Sequence, residues 1–472
     1  CLAERGLDGD DRAWPLFSNA FAGGHHPFTL LGFNVLWTRV FGTGVAAFRA
    51  ASAVWVVLSC LGLFAFATTL ARLLKGRGGE GAVRVFAPLV LLAALVSPWS
   101  FQFSRVAWEG PIAPAFLVLA LAALARFRAS GRLIWSIVAG LCAGLSMISY
   151  PPLRPAVPPI LLLAVWLLAR GLEAGERRRL GLKLLVGAGL WFLVLLPVVF
   201  LTLSGEITTR TKEVAIFNPE WLDKHRGLAP RWVFFLSTFF DNLVSHLRPS
   251  YLFFSGDVNG RHSSQLVGQL SPVDTLAIAF AAFGVGWLLR VAYRALRTRP
   301  AADDQPVRSS EGTGQWPGLA DGHLALVAVA GFAVLAGAFA TAPAALTHDS
   351  LPHALRSIGT WPFVALFSGS VLALAWSRFR WAPPITALIA IIYTGMFLPQ
   401  YAKIYDRLDP WTFHRPHRDA VEAAKAQQPP GTARAALAPH ASPDKEDLRY
   451  YVMHYDGLSC AESRDYIQGK LK

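Results

Sequence analysis

The sequence predicts an all-α polytopic membrane protein, and three observations lead to this fold class. Of the 472 residues, 54% are hydrophobic and only 16% are charged, whereas soluble proteins carry about 25% charged residues. The mean hydropathy of the chain is +0.40. Long apolar runs alternate with polar segments, and most runs approach the ~20 residues that a helix needs to cross a bilayer.

Ten of these runs are predicted to span the membrane as helices. They cover residues 51–74, 85–103, 112–127, 133–150, 156–170, 184–204, 272–290, 324–342, 359–377 and 382–399. The third and fifth runs are short, so polar side chains at their ends have to reach the headgroups. Ahead of the first span, residues 27–42 interleave Phe, Leu and Trp with few charges, which predicts a helix lying on the membrane surface.

The distribution of Lys and Arg predicts the orientation. Alternate loops such as "RLLKGRGGEGAVR" and "ARGLEAGERRRLGLK" hold most of the basic residues, and loops of this kind stay in the cytoplasm. The other loops, together with the C-terminal segment, are therefore expected outside. This asymmetry explains most of the net charge of +14. No basic stripe interleaved with aromatic residues marks a nucleic-acid surface, so the expected partner is the lipid bilayer and not nucleic acid.

The predicted organisation has five parts. They are a first outward loop with an acidic motif and the surface helix (1–50), the first part of the bundle (51–204), a large outward loop (205–271), the second part of the bundle (272–399) and a small outward C-terminal segment (400–472). Residues 298–322 are polar and rich in Pro and Gly, which is typical of a flexible cytoplasmic linker.

Charged and polar side chains recur near the outer ends of the predicted spans. They are Asp8, Arg105, Glu109, Tyr150, Arg154, Arg210, Arg261, His262, His353 and Arg356. Each has a structural alternative, such as headgroup contact for an arginine or an Arg105–Glu109 pair that only caps a helix. Charges at a membrane edge are nevertheless costly and usually face a cavity or a partner. Their recurrence on one side predicts a common cavity that opens outward.

The chemistry of these residue types fits a lipid-phosphate sugar donor. A carboxylate can act as a general base toward a hydroxyl or amine acceptor. Arginine binds phosphate through two parallel hydrogen bonds and stabilises it as a leaving group. A cavity at the bilayer edge admits a donor whose hydrocarbon tail stays in the lipid.

Five stretches resemble a known family. They are "GLDGDDRAWPLF", "FGTGVAAFRAASA", "SPWSFQFSRVAWEGP", "GLCAGLSMISYPPLRP" and "HALRSIGTWPFVALFSG". All are similar to segments of GT-C glycosyltransferases, in the branch of the dolichyl-phosphate-mannose protein mannosyltransferases and the lipid A aminoarabinose transferases. The resemblance runs over about residues 1–400. It implies a bundle of about 10–11 transmembrane helices in a bacterial inner membrane. It also implies inverting transfer of a sugar from a polyprenyl phosphate to a glycan, lipid or protein acceptor outside.

The resemblance also implies roles for single residues. The catalytic carboxylates are Asp8 and Glu109. The donor phosphate is bound by Arg105, Tyr150, Arg154, His353 and Arg356. The acceptor side of the cavity is lined by Arg210, Arg261 and His262. In the family an Asp-Glu pair lies about ten residues before the Gly-x-Asp that Gly6-Leu7-Asp8 matches, so we expect the principal catalytic carboxylate upstream of Cys1.

Two other function classes stay open. One is a transporter or ligase for lipid-linked glycans, and the other is a noncatalytic scaffold with the same shape. A transporter is expected to show inverted repeats and helices broken near the bilayer midplane, and the sequence has no clear repeat. No cofactor is expected. No His-x-x-x-His pair accompanies a carboxylate, and the resembling branch works without metal, so a divalent metal is compatible with the wider family but is not indicated.

Overall fold

The computed structural model describes residues 17–19, 25–42, 45–75, 79–106, 108–205, 207, 209–297, 321–379 and 381–408. Two three-residue strands, β1 (Phe17–Asn19) and β2 (His25–Pro27), form an antiparallel pair. The α-helices are α1 Phe28–Phe41, α2 Val45–Leu74, α3 Glu80–Leu95, α4 Pro98–Ser104, α5 Ile112–Ser130, α6 Leu133–Ser149, α7 Leu153–Ala169, α8 Ala174–Leu203, α9 Thr209–Val214, α10 Pro219–His225, α11 Arg231–Ser245, α12 Pro272–Arg297, α13 Asp321–Ala345, α14 Trp361–Arg378 and α15 Ala382–Leu408.

Every predicted span coincides with helical residues, which confirms the all-α membrane-protein class. Within the described residues, six helices are long and apolar enough to cross a bilayer, namely α2, α5, α8, α13, α14 extended by the turn before it, and α15. The bent pair α3–α4 makes a seventh if it counts as one span. Shorter apolar helices occupy the remaining three positions: α6, α7 and the first part of α12. Ten crossings therefore remain a prediction.

The predicted span over residues 85–103 is interrupted. Helices α3 and α4 meet at an angle of 54° around the "SPWS" sequence. Pro98 cannot donate a backbone hydrogen bond, and it occupies the first turn of α4, where none is needed. Ser97 caps the new helix by accepting a hydrogen bond from the Ser100 N–H at 3.4 Å. The apolar run is continuous in sequence, but this local capping signal divides it into two helices.

Small residues allow close packing between α6 and α8. A Cβ atom on Gly140 of α6 would lie 2.0 Å from the carbonyl oxygen of Gly187 on α8. A Cβ atom on Gly187 would lie 2.2 Å from the carbonyl oxygen of Ser136. The Ser136 hydroxyl also donates to the Lys183 carbonyl across the same contact, at 3.0 Å. Small residues at membrane-helix contacts let the two backbones approach in this way.

The main core is formed by α2, α3, α5, α6, α7, α13 and α14, which pack against one another. Helices α8 and α15 leave most of their apolar surface outside this core, with Phe192 and Ile391 more than 60% exposed. Helix α1 likewise exposes Leu36, Val40 and Phe41. A lipid bilayer would cover these surfaces, because exposed apolar area of this extent is rare on soluble monomers.

A capping box fixes the start of α12 and ties it to α14. The Asp274 carboxylate accepts from the Ser271 N–H at 2.9 Å, and the Ser271 hydroxyl accepts from the Asp274 N–H at 3.3 Å. The second carboxylate oxygen accepts from the Ser368 hydroxyl of α14 at 2.6 Å. Asp274 is 1% exposed, and these bonds satisfy the buried carboxylate.

Candidate functional site

Four segments meet at one end of the bundle, which we call the site end: residues 97–111, 150–154, 251–271 and 346–360. Trp99 Nε1 donates to the Ala354 carbonyl at 3.0 Å. Gln102 Nε2 donates to the carbonyls of Gly260 at 3.2 Å and Arg261 at 3.0 Å. These long-range bonds hold segments together that are separated by 158 to 255 residues in the chain.

The "DVNGRH" sequence, residues 257–262, folds as two successive turns capped by side chains. Asp257 Oδ1 accepts from the Asn259 N–H at 2.9 Å, and Asn259 Oδ1 accepts from the Arg261 N–H at 2.9 Å. Both bonds reach two residues ahead, which is the Asx-turn pattern. Gly256 precedes them with φ +73°, and a Cβ atom there would lie 2.1 Å from Ser263 Oγ. Only glycine fits this position, which directs the Asp257 side chain inward.

Asp257 lies at the centre of a buried polar cluster. Its Oδ2 accepts from His262 Nδ1 at 3.0 Å and from the Ala354 N–H at 2.8 Å. His353 Nδ1 lies 3.9 Å from the same oxygen. The two imidazole rings stack with centroids 4.5 Å apart. Asp257 is 1% exposed, His262 5% and His353 6%, so all three groups are removed from water.

His246 supports this cluster from α11. Its Nε2 accepts from the backbone N–H of His353 at 3.1 Å, and its Nδ1 donates to the Asn242 carbonyl at 2.8 Å. This pattern requires the neutral ring with its proton on Nδ1. Burial lowers the pKa of His246, although the Asn242 bond and the Asp257 charge oppose the shift. The ring is therefore a fixed support for the backbone at His353.

Tyr150 connects two of the predicted site residues. It follows α6 directly and is 6% exposed. The Glu109 carboxylate and the Arg356 guanidinium both interact electrostatically with its phenol. Both charges therefore lie within electrostatic reach of this hydroxyl. Glu109 itself is half-buried, so the structure brings Glu109, Tyr150 and Arg356 into one neighbourhood.

Arg356 forms a bidentate ion pair with Asp349. Its guanidinium makes two hydrogen bonds to the Asp349 carboxylate, including Nη2 to Oδ2 at 3.0 Å, and Nη1 also donates to Thr347 Oγ1 at 2.8 Å. The Arg356 side chain is only 13% exposed. A bidentate pair is the arrangement that arginine also forms with phosphate, and an anion that bound here would exchange with Asp349.

Arg154 stands in the first turn of α7, beside the β1 strand. Its Nε donates to the Met147 carbonyl at 3.2 Å, and its guanidinium lies over the Phe17 ring, 5.6 Å from the centroid. No described residue places a carboxylate in ion-pair contact with it. Phe17 packs with Ile148 and Val198, which brings the hairpin that follows the first loop next to Arg154.

The other predicted site residues are less tightly grouped. Arg105 follows α4 and is exposed. Arg261 is half-buried, with its carbonyl bound by Gln102. Arg210 lies on α9, and its side chain is not among those that the structure describes. Asp8 lies outside the described residues. The linker and nearly all of the C-terminal segment fall outside them too.

Sequence reasoning missed Asp257 and His246 as parts of the site. Asp257 opens a D-x-N-x-R-H pattern in which every second side chain can cap a turn, and that spacing was the available signal. His246 carries no local signal, because its partners are reached only through the fold. Asp349 is recognisable as a charge on the predicted outer side, with a helix cap as the alternative, but its pairing with Arg356 is visible only in the structure. Comparison with models of protein families, with curated proteins and with solved structures gives no match.

Proposed function

We propose that this protein is a membrane glycosyltransferase that moves a sugar from a polyprenyl-phosphate donor to an acceptor at the outer face of the membrane. The observation that carries the proposal is the neighbourhood of Tyr150. Glu109 and Arg356 come from separate loops, and both charges lie within electrostatic reach of this one buried hydroxyl. The site end thus combines a candidate base with a candidate phosphate ligand, as transfer from a sugar phosphate requires.

Arg154 adds a second positive charge in the same region. Its neighbours are a carbonyl oxygen and an aromatic face, which leave its charge without a neutralising carboxylate among the described residues. A half-buried cation in this situation gains from an anionic ligand. It also stands at the end of the apolar helix α7, where a lipid-linked phosphate would lie.

The proposed reaction is a direct displacement. The acceptor oxygen or nitrogen attacks the anomeric carbon, the bond between that carbon and the phosphate oxygen breaks, and the polyprenyl phosphate leaves. Glu109, or a first-loop carboxylate such as Asp8, takes the acceptor proton. Arg154 and Arg356 bind the phosphate and stabilise the charge that develops on it. A single displacement inverts the anomeric configuration.

In this proposal Arg356 changes partners. In this structure Asp349 satisfies the guanidinium of Arg356, so the buried charge has a partner before the phosphate binds. The donor phosphate replaces the Asp349 carboxylate with the same bidentate geometry. Asp349 therefore lowers the donor affinity while it stabilises the free protein.

The test is transfer of labelled sugar from polyprenyl-phosphate donors to membrane-extracted acceptors by the purified protein in lipid nanodiscs. We expect Glu109→Gln and Arg154→Met each to lower kcat/KM at least about 100-fold, because general acid–base and charge stabilisation contribute about this much each. Arg84→Gln is the matched control. Arg84 is an exposed arginine at the start of α3, and its variant should retain full activity.

Full activity of both Glu109→Gln and Arg154→Met would contradict the assignment of the site. Sugar transfer in the absence of a lipid-linked donor would contradict the mechanism. The bend between α3 and α4 favours one alternative, a transporter for lipid-linked glycans, because transporters use interrupted helices. The same nanodisc protein in sealed vesicles separates the two. Movement of a labelled donor between leaflets without sugar transfer would support the transporter.

A further inference from the structure

We propose that Asp257, His262 and His353 form a binding site for a divalent transition metal of the zinc class. Each residue offers one ligand atom, and the three ligand atoms all lie within 4.8 Å of one another. Asp257 and His262 come from one loop of the site end and His353 comes from another. The proposal concerns binding and does not depend on the proposed transfer reaction.

The donor types point to zinc-like ions. Two imidazoles and one carboxylate suit Zn²⁺ and its neighbours in the first transition row, whereas Mg²⁺ and Ca²⁺ prefer sites made of oxygen ligands. Three protein ligands leave a coordination position for water or another oxygen donor, as in zinc sites that are not purely structural. The only carboxylate charge in the set is that of Asp257, so the bound ion would keep a net positive charge facing that position.

The distances between the three ligand atoms fit a tetrahedral zinc site after a small side-chain adjustment. Ligand bonds of about 2.0–2.2 Å place the donor atoms of a tetrahedral zinc site roughly 3.3 Å apart. His262 Nδ1 is already 3.0 Å from Asp257 Oδ2, and His353 Nδ1 is 3.9 Å from it. A metal ion would replace the proton that His262 now shares with Asp257 and would draw in His353 by side-chain rotation.

The cluster has the supporting bonds that metal ligands usually need. The Asn259 N–H holds Asp257 Oδ1, and the Ala354 N–H holds Oδ2. His353 Nδ1 accepts from the Arg356 N–H at 3.4 Å, so it carries a lone pair and not a proton, and rotation toward the ion would exchange this long hydrogen bond for the metal bond. The main chain at His353 is fixed by His246. The carboxylate and one imidazole are therefore already oriented to bind.

Hydrogen bonding alone explains only part of the arrangement. An Asp257–His262 pair, with the Ala354 N–H, would be enough to clamp the two loops. It does not require a second imidazole stacked on the first, with its Nδ1 3.9 Å from the same carboxylate oxygen. Two buried imidazoles around one carboxylate are explained by an ion that binds all three.

The experiment measures metal binding directly, using full-length protein purified with a tag that contains no histidine. The protein is treated with a chelator, dialysed and mixed with Zn²⁺, Co²⁺ or Mg²⁺. We expect a single equivalent of Zn²⁺ by elemental analysis, a visible absorption band of low-symmetry Co²⁺, and a higher unfolding midpoint with Zn²⁺. Mg²⁺ should produce no shift.

Three variants locate the site. Asp257→Asn, His262→Gln and His353→Gln should each weaken Zn²⁺ binding at least 10-fold and abolish the Co²⁺ band. His348→Gln is the matched control, because His348 lies on the same loop but stacks on Trp221, away from the cluster. It should bind as the unmodified protein does.

Two results would overturn the proposal. One is unmodified protein that retains no Zn²⁺ after dialysis and shows no shift in its unfolding midpoint. The other is loss of binding in His348→Gln, or retention of it in His353→Gln, since either would place the ion elsewhere. If Asp257→Asn fails to fold, the His353→Gln and Co²⁺ measurements still decide the question.

Discussion

The contact between α6 and α8 allows a test in which two glycines of one helix should respond in opposite directions. At Gly187 an added Cβ atom would lie 2.2 Å from the Ser136 carbonyl oxygen and 2.5 Å from its hydroxyl. At Gly189, two residues further along α8, nothing lies within 4 Å of such an atom. Alanine favours a helix over glycine by about 1 kcal/mol at either position, so this gain cancels in the comparison.

The difference between the two variants therefore isolates the clash. An unstrained contact between a Cβ atom and a carbonyl oxygen is about 3.5 Å, so α6 and α8 would have to separate by about 1 Å. Overpacking of this kind costs about 1–3 kcal/mol, and the upper end applies because a backbone carbonyl cannot rotate away. We expect Gly189→Ala to be stabilised by up to about 1 kcal/mol. We expect Gly187→Ala to be about 3 kcal/mol less stable than Gly189→Ala.

The assay is reversible unfolding in detergent micelles, followed by tryptophan fluorescence and by circular dichroism. Trp191 lies near the contact on α8 and hydrogen-bonds to Met147 Sδ of α6 at 3.4 Å, so its emission reports on this pair of helices. Equal stability of Gly187→Ala and Gly189→Ala would refute the close approach. Loss of stability in Gly189→Ala would show that this face is packed against something and not open.

Three further substitutions test separate parts of the structure. Asp274→Ala should lower the free energy of unfolding by about 1–3 kcal/mol, because it leaves the Ser271 N–H and the buried Ser368 hydroxyl without their acceptor; chemical unfolding measures this, and an unchanged midpoint would contradict the capping box. Arg154→Met should unfold at the same or a higher temperature while transfer activity falls, since a half-buried charge without a carboxylate is costly; a lower melting temperature would indicate a structural role. Asp349→Asn should lower the KM for the lipid donor in the transfer assay, because the phosphate would meet a weaker competitor for the guanidinium, and an unchanged KM would count against the exchange.

The helical fold could be predicted from the apolar runs because each run is long and continuous. Nine of the ten predicted spans coincide with one helix each and the tenth with the pair α3–α4. Residues 27–42 contain the helix α1, and its place on the membrane surface stays a prediction. The prediction of one continuous helix over residues 85–103 was wrong, because a short capping signal divides this apolar run. Ser97 and Pro98 together end one helix and begin another, while the hydropathy of the run hardly changes.

The site was predictable only in part. The sidedness of the charged residues predicts a common cavity, which stays a prediction, and Glu109 and Arg356 both lie within electrostatic reach of Tyr150. The hydrogen-bond and ion-pair partners of these side chains, in contrast, could not be predicted. Asp257 and His353 are brought together by hydrogen bonds between loops, and the bidentate ion pair between Arg356 and Asp349 depends on the tight path of the chain between them. Neither arrangement leaves a periodic pattern in the sequence.

The lengths of α6 and α7 have a consequence for the surrounding lipid. Each helix has 17 residues and is therefore about 25 Å long, against a hydrocarbon layer of about 30 Å. A bilayer meets such a mismatch by thinning next to the short helices. Tyr150 and Arg154 lie where these two helices meet. Local thinning of the bilayer would therefore bring the phosphate headgroups closer to these two residues. Bilayer thickness would then set how easily a lipid-linked substrate reaches the site, and thicker membranes would make that access harder.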